Sequence, residues 1–191
     1  MAKFIVFEGL DGSGITTQST LLRNYLIQKE SVLLTKEPTD GLIGGLIKSC
    51  LRKEWITDPA TLQLLFCADR SHHLKSEILP ALEKNQSVIS DRYVLSTLAF
   101  GSLENKTDKL KELNKDFKKP DIVFFVDTDP KVCIERIAKS RHHIELFEEE
   151  KKLIEIRKNF ISLKKHYKNT YIIDGNRTIE EIHEEIKKLM K

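Results

Sequence analysis

Cysteine is scarce in this sequence, and its spacing is not that of a metal site. The chain has three cysteines, an odd number with no CxxC among them: Cys50, Cys67 and Cys133. The histidine pairs at 72–73 and 142–143 have no cysteine or carboxylate at zinc spacing, and adjacent residues of a helix do not share a face. We therefore expect reduced, mostly packed thiols and no zinc site.

Long apolar runs are lacking as well. No run approaches the roughly 18 residues of a membrane span, and residues 1–9 lack the basic segment and small-residue cleavage site of a signal peptide. Hydrophobic residues make up 40% of the chain and charged residues 32%, which is typical of a soluble globular protein. The sequence therefore predicts a cytoplasmic protein without a membrane partner, and its 191 residues fit a single domain, 1–191.

A strong excess of charge of one sign is also absent. The formal net charge is +3, which suits small anionic substrates as well as nucleic acid. Lysines are interleaved with glutamates, as in 109–119 and 180–191, and such runs are typical of solvated helix faces. Because no basic patch is interleaved with aromatic residues and no nucleic-acid-binding module is recognisable, we expect no nucleic-acid partner.

What the chain does contain is an alternation of strand and helix patterns. Five short runs are rich in β-branched or aromatic residues: 4–7, 32–34, 87–90, 122–126 and 171–173. None alternates cleanly between apolar and polar residues, which favours strands covered on both faces. Helical spacing fills gaps between them: 16–29, 59–82, 131–139, 153–167 and 179–190. This order predicts a three-layer α/β fold with a five-stranded parallel sheet, helices on both faces and ligands at the carboxyl ends of the strands.

The first apolar run leads into a glycine-rich loop. The Walker A pattern GxxxxGK[ST] is matched at Gly9, Gly14 and Thr16, but its lysine position holds Ile15. Glycines let backbone N–H groups converge on an anion, and the N-terminus of the next helix adds its dipole. Strand, loop and amphipathic helix in this order favour a phosphate site over an ordinary glycine turn. Its candidate residues are Gly9, Gly12, Ser13, Gly14, Ile15, Thr16 and Thr17.

The missing lysine bears directly on function. Phosphoryl transfer depends on positioning and charge stabilisation, and the Walker A lysine contacts the β- and γ-phosphates. Ile15 removes that cation, and losing one preorganised donor can lower the rate about a hundredfold or more. Three alternatives remain open. Another cation replaces the lysine, the protein binds nucleotide with little turnover, or the residue was introduced by mutation.

Motifs along nearly the whole chain resemble those of thymidylate kinases, a family of P-loop nucleoside-monophosphate kinases. They are FEGLDGSG and TTQ within 7–18, TKEP at 35–38, LLFCADR with a later histidine at 64–73, ILPAL at 78–82, VISDRY at 88–93 and IDG at 173–175. Each motif is weak alone, but their order is highly specific. The resemblance implies a P-loop NTPase fold, transfer of the γ-phosphate of ATP to dTMP, Mg²⁺ as cofactor and a homodimer.

The resemblance places the reaction around the Asp-Arg-Tyr motif. Arg92 follows a buried strand and offers a two-pronged contact for the acceptor phosphate, with pairing to Asp91 alone as the structural alternative. Asp91 and Thr16 are implied to bind Mg²⁺. Asp11 is implied to lie near the reacting phosphates and Mg²⁺, although Asp-Gly is also common in turns.

A lid at 136–148 is implied to close over ATP. Because Gly12 follows the loop aspartate, the resemblance implies catalytic cations in this lid. Arg136, Lys139 and Arg141 fit that type, and a catalytic role is assigned to the two arginines, with a solvated basic helix end as the alternative. These lid cations and Lys36 are the candidates to replace the missing lysine. The adenine is assigned to the late Asn176-Arg177 pair, which also fits a turn.

The implied dTMP pocket consists of Lys36, Phe66, Arg70, Arg92, Ser96, Thr97 and Phe100. Phe66 would stack on thymine and Arg70 would bond its edge. Core packing of Phe66, or a salt bridge between Asp69 and Arg70, would account for the same residues without a ligand. The resemblance also implies a cis peptide bond in the TKEP motif, between residues 37 and 38.

Two positions depart from the family pattern SSxAYQ. Phe100 replaces its tyrosine and Gly101 its glutamine, so recognition of the sugar and of the base edge is expected to be weaker. These changes and Ile15 favour a nucleotide-binding protein without turnover, and the altered acceptor pocket permits a kinase of another monophosphate or nucleoside. The intact Asp91-Arg92 pair and the lid arginines oppose loss of turnover, so an active kinase of dTMP is the leading hypothesis.

Overall fold

The computed structural model describes residues 1–140, 149–163 and 169–190. The strands in these ranges are β1 (Phe4–Gly9), β2 (Val32–Lys36), β3 (Ser87–Asp91), β4 (Ile122–Asp127) and β5 (Thr170–Asp174). They form one sheet in the order β2-β3-β1-β4-β5, and every neighbouring pair is parallel. The five predicted strands are therefore confirmed, and each is slightly longer than its apolar run.

The helices connect these strands. They are α1 (Ile15–Leu26), α2 (Leu42–Leu51), α3 (Pro59–His73), α4 (Leu79–Glu83), α5 (Val94–Gly101), α6 (Thr107–Asn114), α7 (Pro130–Ser140), α8 (Glu150–Leu163) and α9 (Ile179–Leu189). Helical spacing did not single out α2, α5 or α6, although the charged run 109–119, interpreted as a solvated helix face, overlaps α6. Because α5 is buried on nearly every side, it lacks the polar stripe that marks a surface helix. In the described ranges, no helix is long and apolar enough to cross a membrane.

The predicted helix 59–82 is interrupted rather than continuous. Residues Leu74–Ile78 form a π-helical turn between α3 and α4, and the N–H of Leu79 bonds to the carbonyl of Leu74. Pro80 follows directly and has no N–H of its own, so the regular helical bonding is interrupted at this point. The end of the predicted helix 153–167 lies outside the described residues.

Both faces of the sheet are apolar. In β1, Phe4 and Val6 belong to a cluster with side chains of α5 and α8, whereas Ile5 and Phe7 belong to a cluster with α1 and α9. Successive side chains of a strand point to opposite faces, so an apolar strand of this kind needs helices on both sides. The predicted three-layer α/β fold is confirmed.

The carboxyl ends of three strands meet where the site was expected. Asp91 at the end of β3 is the register partner of Phe7 in β1 and of Lys36 in β2. The chain leaves β1 at Gly9 and turns into α1 within a few residues. The phosphate loop, Lys36 and Asp91 therefore lie at one edge of the sheet, as is usual for ligand sites of this fold class.

Candidate active site

A cavity of about 670 Å³ opens at this edge, between the phosphate loop and residues of β2, α2, α3, α5 and α7. Most of the predicted site residues line it: Asp11, Gly12, Gly14, Ile15, Thr16, Thr17, Lys36, Phe66, Arg70, Asp91, Arg92, Ser96, Thr97, Phe100 and Arg136. Gly9 and Ser13 are buried beneath the loop. Arg141 and the rest of the predicted lid, 141–148, lie outside the described residues.

Two glycines give the phosphate loop its shape. Gly12 and Gly14 have φ angles of +79° and +98°, in the left-handed region that other residues rarely adopt. A Cβ atom on Gly12 would also lie 2.5 Å from the carbonyl oxygen of Cys133 in α7. The loop can therefore pack against α7 only because this position has no side chain.

Ile15, at the Walker A lysine position, is the first residue of α1. It lines the cavity but is only 4% exposed, and it belongs to the apolar cluster between the sheet and α1. Its Cγ2 would lie 3.2 Å from a Cβ atom on Gly9, so the side chain lies close under the loop. Ile15 is thus stabilised by core packing and offers no charge to a phosphate.

Arg136 brings a positive charge to the loop from α7. Its Nη1 lies 3.5 Å and 3.4 Å from the carbonyl oxygens of Gly12 and Ser13, and its Nη2 lies 3.1 Å from that of Gly175. Lys36, the other candidate cation that the structure describes, pairs with the exposed Asp40 at 3.1 Å. Of these two cations, Arg136 has the contacts with the phosphate loop.

Thr16 and Asp91 form the predicted metal-binding pair. The Thr16 hydroxyl donates to Oδ2 of Asp91 at 2.6 Å. Burial raises the pKa of the Asp91 carboxyl, and the charge of Arg92 and the Thr16 hydrogen bond lower it in part. A carboxylate and a hydroxyl at the cavity edge are hard oxygen ligands, which fit Mg²⁺ shared with substrate phosphates.

Arg92 is held next to the loop by three protein contacts. Its Nη2 pairs with Asp11 at 2.6 Å, and its Nη1 donates to the Gly9 carbonyl at 2.7 Å and to Ser96 Oγ at 3.0 Å. Its ion-pair partner is therefore Asp11, so the alternative in which it pairs with Asp91 alone is wrong. Burial lowers the pKa of Arg92, but the neighbouring charges of Asp11 and Asp91 outweigh this effect. The pKa is therefore raised above its ordinary value, and the guanidinium stays charged.

Glu8 is a buried carboxyl behind Arg92 that the sequence reasoning did not assign. It accepts hydrogen bonds from the Leu95 N–H, at 3.1 Å, and from the hydroxyl of Ser96, which in turn accepts from Arg92. Burial raises its pKa to about 7, although the Ser96 bond and the Arg92 charge lower it. A signal was present in the sequence, because Glu8 is the one charged residue within an apolar strand.

Arg70 lies in a buried polar cluster on the opposite wall and is 1% exposed. Its Nε donates to Glu37 at 2.8 Å, its Nη2 to Thr97 at 2.8 Å, and its Nη1 to Asn114. Asp69 accepts from Thr39 instead. The alternative of an Asp69–Arg70 salt bridge is therefore wrong.

The remaining predictions for the acceptor wall concern Phe66, Phe100 and the bond between Glu37 and Pro38. Phe66 packs against an apolar cluster of α2 and α3, as the core-packing alternative expects. It also lines the cavity, and its stacking on a base stays a prediction. The Phe100 ring lies 5.1 Å from the guanidinium carbon of Arg92. The Glu37–Pro38 peptide bond is cis, which confirms the prediction.

Polar residues without an assigned role also line the cavity: Glu37, Lys48, Arg52 and Gln63. Lys48, in α2, and Arg52, directly after it, were not predicted as site residues because this helix was not predicted. Gln63 lies three residues before Phe66 on α3, and this helical spacing was the signal that could have identified it.

Asn176 and Arg177, the predicted adenine contacts, lie after β5 and do not line the cavity described above. Asn176 Oδ1 accepts from the Asp129 N–H at 2.9 Å, and its own N–H donates to Asp174 Oδ1 at 3.0 Å. Arg177 pairs with Glu185. These contacts are those of a closed turn, and the adenine assignment stays a prediction.

Comparison with known proteins gives one consistent result. A family model described as "Thymidylate kinase" matches residues 7–186. The chain is 39% identical to a probable thymidylate kinase of Pyrococcus abyssi, over 98% of this chain and 95% of that protein. It is 36% identical to a putative thymidylate kinase of Treponema pallidum, over 96% and 92%. It is also 36% identical to a thymidylate kinase of Aster yellows witches'-broom phytoplasma, over 98% and 96%.

Proposed function

Because the chain belongs to the thymidylate kinase family, we propose that it transfers the γ-phosphate of ATP to dTMP and releases dTDP and ADP. The observation that carries this proposal is the position of Arg92, which contacts the start of the phosphate loop and pairs with Asp11 in one cavity. An acceptor phosphate at Arg92 and a donor phosphate in the loop would face each other there. Such positioning is the main contribution of a protein to phosphoryl transfer.

In this proposal the phosphate loop binds the donor phosphates and Arg92 binds the acceptor phosphate. Backbone N–H groups of the loop and the N-terminus of α1 favour the donor phosphates. The bonds of Arg92 to described residues leave its Nε–H and one Nη2–H for the acceptor phosphate. The ion pair with Asp11 keeps the guanidinium in place before the substrate arrives.

Asp91 and Thr16 are the residues we propose to hold Mg²⁺. When bound, the ion would neutralise negative charge on the β- and γ-phosphates. A cation next to Asp91 also favours the ionised carboxylate, which opposes the effect of burial on its pKa. Asp91 is positioned for this role by its place at the carboxyl end of β3, opposite the loop.

Arg136 is the cation we propose in place of the missing lysine. Its guanidinium already contacts carbonyl oxygens of the phosphate loop, and its Nη1 would lie 4.0 Å from a Cβ atom on Gly14. Lys36 is less suited, because its described ion pair is with the exposed Asp40 and no contact between described residues joins it to the phosphate loop. Arg141 stays a candidate within the predicted lid.

The acceptor base is proposed to stack on Phe66, with Arg70 and Thr97 near its edge and Lys36 near its phosphate. The adenine of ATP is proposed at Asn176 and Arg177, beside the end of β5. Phe100 stands where the family pattern has tyrosine and can contact the sugar through its ring alone.

A homodimer is also proposed, through α2 and α3. These helices pack against each other and leave large apolar side chains in solvent, with Leu42 93% exposed and Leu64 54% exposed. Exposed apolar side chains on neighbouring elements are typical of an interaction surface. Light scattering should report a dimer that Leu64→Glu weakens, and a monomeric parent would contradict the proposal.

The test of the proposed reaction is an assay of ADP release with ATP, Mg²⁺ and dTMP. The parent is compared with Ile15→Lys, which restores the Walker A residue, and with Ile15→Met, a matched apolar control. Turnover of the parent within about tenfold of Ile15→Lys supports a kinase in which another cation acts. If only Ile15→Lys turns over, the chain is a nucleotide-binding protein with a disabled loop. If neither the parent nor Ile15→Lys turns over, dTMP is not the acceptor.

A further inference from the structure

Gln63 is a buried glutamine in the cavity wall with an unused hydrogen-bonding group. It lines the cavity together with Phe66 and Arg70, and the spacing of three and four residues places all three on one face of α3. Gln63 is 4% exposed, and its Oε1 has no hydrogen-bond partner among the described residues. Leaving a buried amide oxygen unbonded is unfavourable. Because Gln63 lies in the cavity wall, rotation of its amide toward a ligand would relieve this cost.

The polar neighbour of Gln63 on the same helix face gives most of its N–H groups to the protein. Arg70 donates from Nε to Glu37, from Nη2 to Thr97 and from Nη1 to Asn114, and its Nη2 also lies 2.7 Å from Glu37. One Nη1–H of Arg70 is left, whereas the Gln63 oxygen has no hydrogen-bond partner among the described residues.

Gly101 makes room for this amide. A Cβ atom on Gly101 would lie 2.8 Å from Oε1 and 2.9 Å from Cδ of Gln63, closer than such atoms approach in proteins. A side chain at position 101 and the present amide of Gln63 therefore exclude each other. The glutamine that the family pattern has at 101 would come from α5, whereas this chain presents an amide to the same space from α3.

We infer that Gln63 binds the polar edge of the acceptor's pyrimidine base, an inference that rests on the proposed function. An amide has one acceptor oxygen and a donor NH₂, which match the N3–H and the O4 of thymine. Rotation of the unanchored amide exchanges its two ends, so it also matches the N3 and the amino group of cytosine. Gln63 therefore contributes affinity for a pyrimidine edge more than discrimination between pyrimidines.

The test is a calorimetric titration with dTMP, dCMP and 2-deoxyribose 5-phosphate, which has no base. In Gln63→Leu the affinity for both nucleotides should fall about 10- to 100-fold, because the base edge loses its partner. The affinity for the sugar phosphate should not change, whereas a general loss of structure would weaken all three ligands. The control is Gln18→Leu, a buried glutamine of α1 that does not line the cavity and whose Oε1 also has no described partner. This variant loses the bond from Gln18 Nε2 to the Ile179 carbonyl, so it reports the effect of a buried amide on stability without a change in the cavity.

A reciprocal pair of variants tests the exclusion between the two positions. Gly101→Gln alone should weaken dTMP binding, because a Cβ atom there would lie 2.8 Å from Oε1 of Gln63 and 2.9 Å from Cδ1 of Leu110. Adding Gln63→Ala removes the first of these collisions and should restore part of the binding, since the amide then comes from α5. The two substitutions should thus be strongly non-additive, and additive losses would overturn the inference.

The outcomes separate this inference from the proposed function. If the parent binds dTMP and Gln63→Leu binds it equally well, Gln63 does not read the base, and the proposed function stands. If the parent binds dCMP more tightly than dTMP and Gln63→Leu weakens the binding of both, Gln63 keeps its role and dTMP is the wrong acceptor. If the parent binds neither monophosphate, both are overturned. Should Gln63→Leu unfold, Gln63→Met preserves the volume and shape of the side chain and gives the same readout.

Discussion

The cavity has a donor wall, formed by the phosphate loop and Arg136, and an acceptor wall on α3 with Gln63, Phe66 and Arg70. These two walls hold their charges in different ways. On the acceptor wall, Arg70 is almost fully buried and pairs with Glu37, which also contacts His73. On the donor wall, the bonds of Arg136 to described residues go to carbonyl oxygens of the loop and of Gly175. The first arrangement neutralises charge within the protein, and the second leaves a positive charge directed at the phosphate loop.

This difference predicts which substitutions affect folding and which affect turnover. A buried ion pair is expensive to break, because the remaining charge has neither water nor a partner. An arginine that bonds neutral carbonyl groups can be removed without leaving such a charge behind. Substitutions in the acceptor wall should therefore lower the free energy of unfolding, whereas substitutions in the donor wall should lower the rate of turnover.

The largest effect is expected for Arg70→Met. It leaves Glu37 buried without its partner, and breaking such a pair typically lowers the free energy of unfolding by about 3–5 kcal/mol. Urea denaturation should show this loss, with Lys111→Met, which removes a surface pair with Asp108, as the control. A small loss for Arg70→Met would mean that the acceptor wall does not depend on this pair.

Glu8, the buried carboxyl behind Arg92, makes the stability of the protein depend on pH. Its pKa of about 7 in the folded protein exceeds the ordinary value of 4.5, so its stabilising contribution is complete below pH 4.5 and is lost as the pH rises toward 7. Relative to Glu8→Gln, the parent should lose up to about 3 kcal/mol of unfolding free energy across that interval. Urea denaturation from pH 4.5 to 8 measures this difference. The exposed Glu104→Gln should change nothing, and a parent curve parallel to that of Glu8→Gln would refute the shift.

Arg92 lies between the two walls and tests the geometry of the reaction. Arg92→Lys keeps the charge but loses the planar fork, so kcat/KM for dTMP should fall about a hundredfold, the scale of losing one preorganised donor. The decrease should exceed that of Arg23→Lys, a conservative change in α1 away from the cavity. Equal effects would show that charge alone, without the fork, holds the acceptor phosphate.

Arg136→Ala should produce the smallest of these effects and should depend on position 15. In the parent, turnover should fall about tenfold or more, because the loop loses its side-chain cation. With Ile15→Lys present, the same substitution should have a much weaker effect, since the lysine then supplies the charge. The midpoint of urea denaturation should move little in either background. Equal losses of turnover in both backgrounds would show that Arg136 does not stand in for the lysine.

Several features of the fold could be predicted because they are local. The strands were recognisable from short β-branched runs, and the phosphate loop from glycines placed between a strand and an amphipathic helix. The helices α2 and α5 were missed for opposite reasons. The first contains two glycines, and the second is buried on nearly every side, so neither has the spacing of an amphipathic surface helix.

By itself, the sequence determined the order of strands and helices, the absence of the Walker A lysine, and the family to which the motifs belong. Tertiary structure alone decided which side chains meet: Glu8 with Ser96 behind Arg92, Arg136 with the phosphate loop, and Gln63 with Gly101. The physical reason is that periodicity records which face of an element is buried, whereas the partner of a polar group depends on how distant elements pack. Residues 8 and 96, or 63 and 101, become neighbours only when the sheet and its helices have assembled.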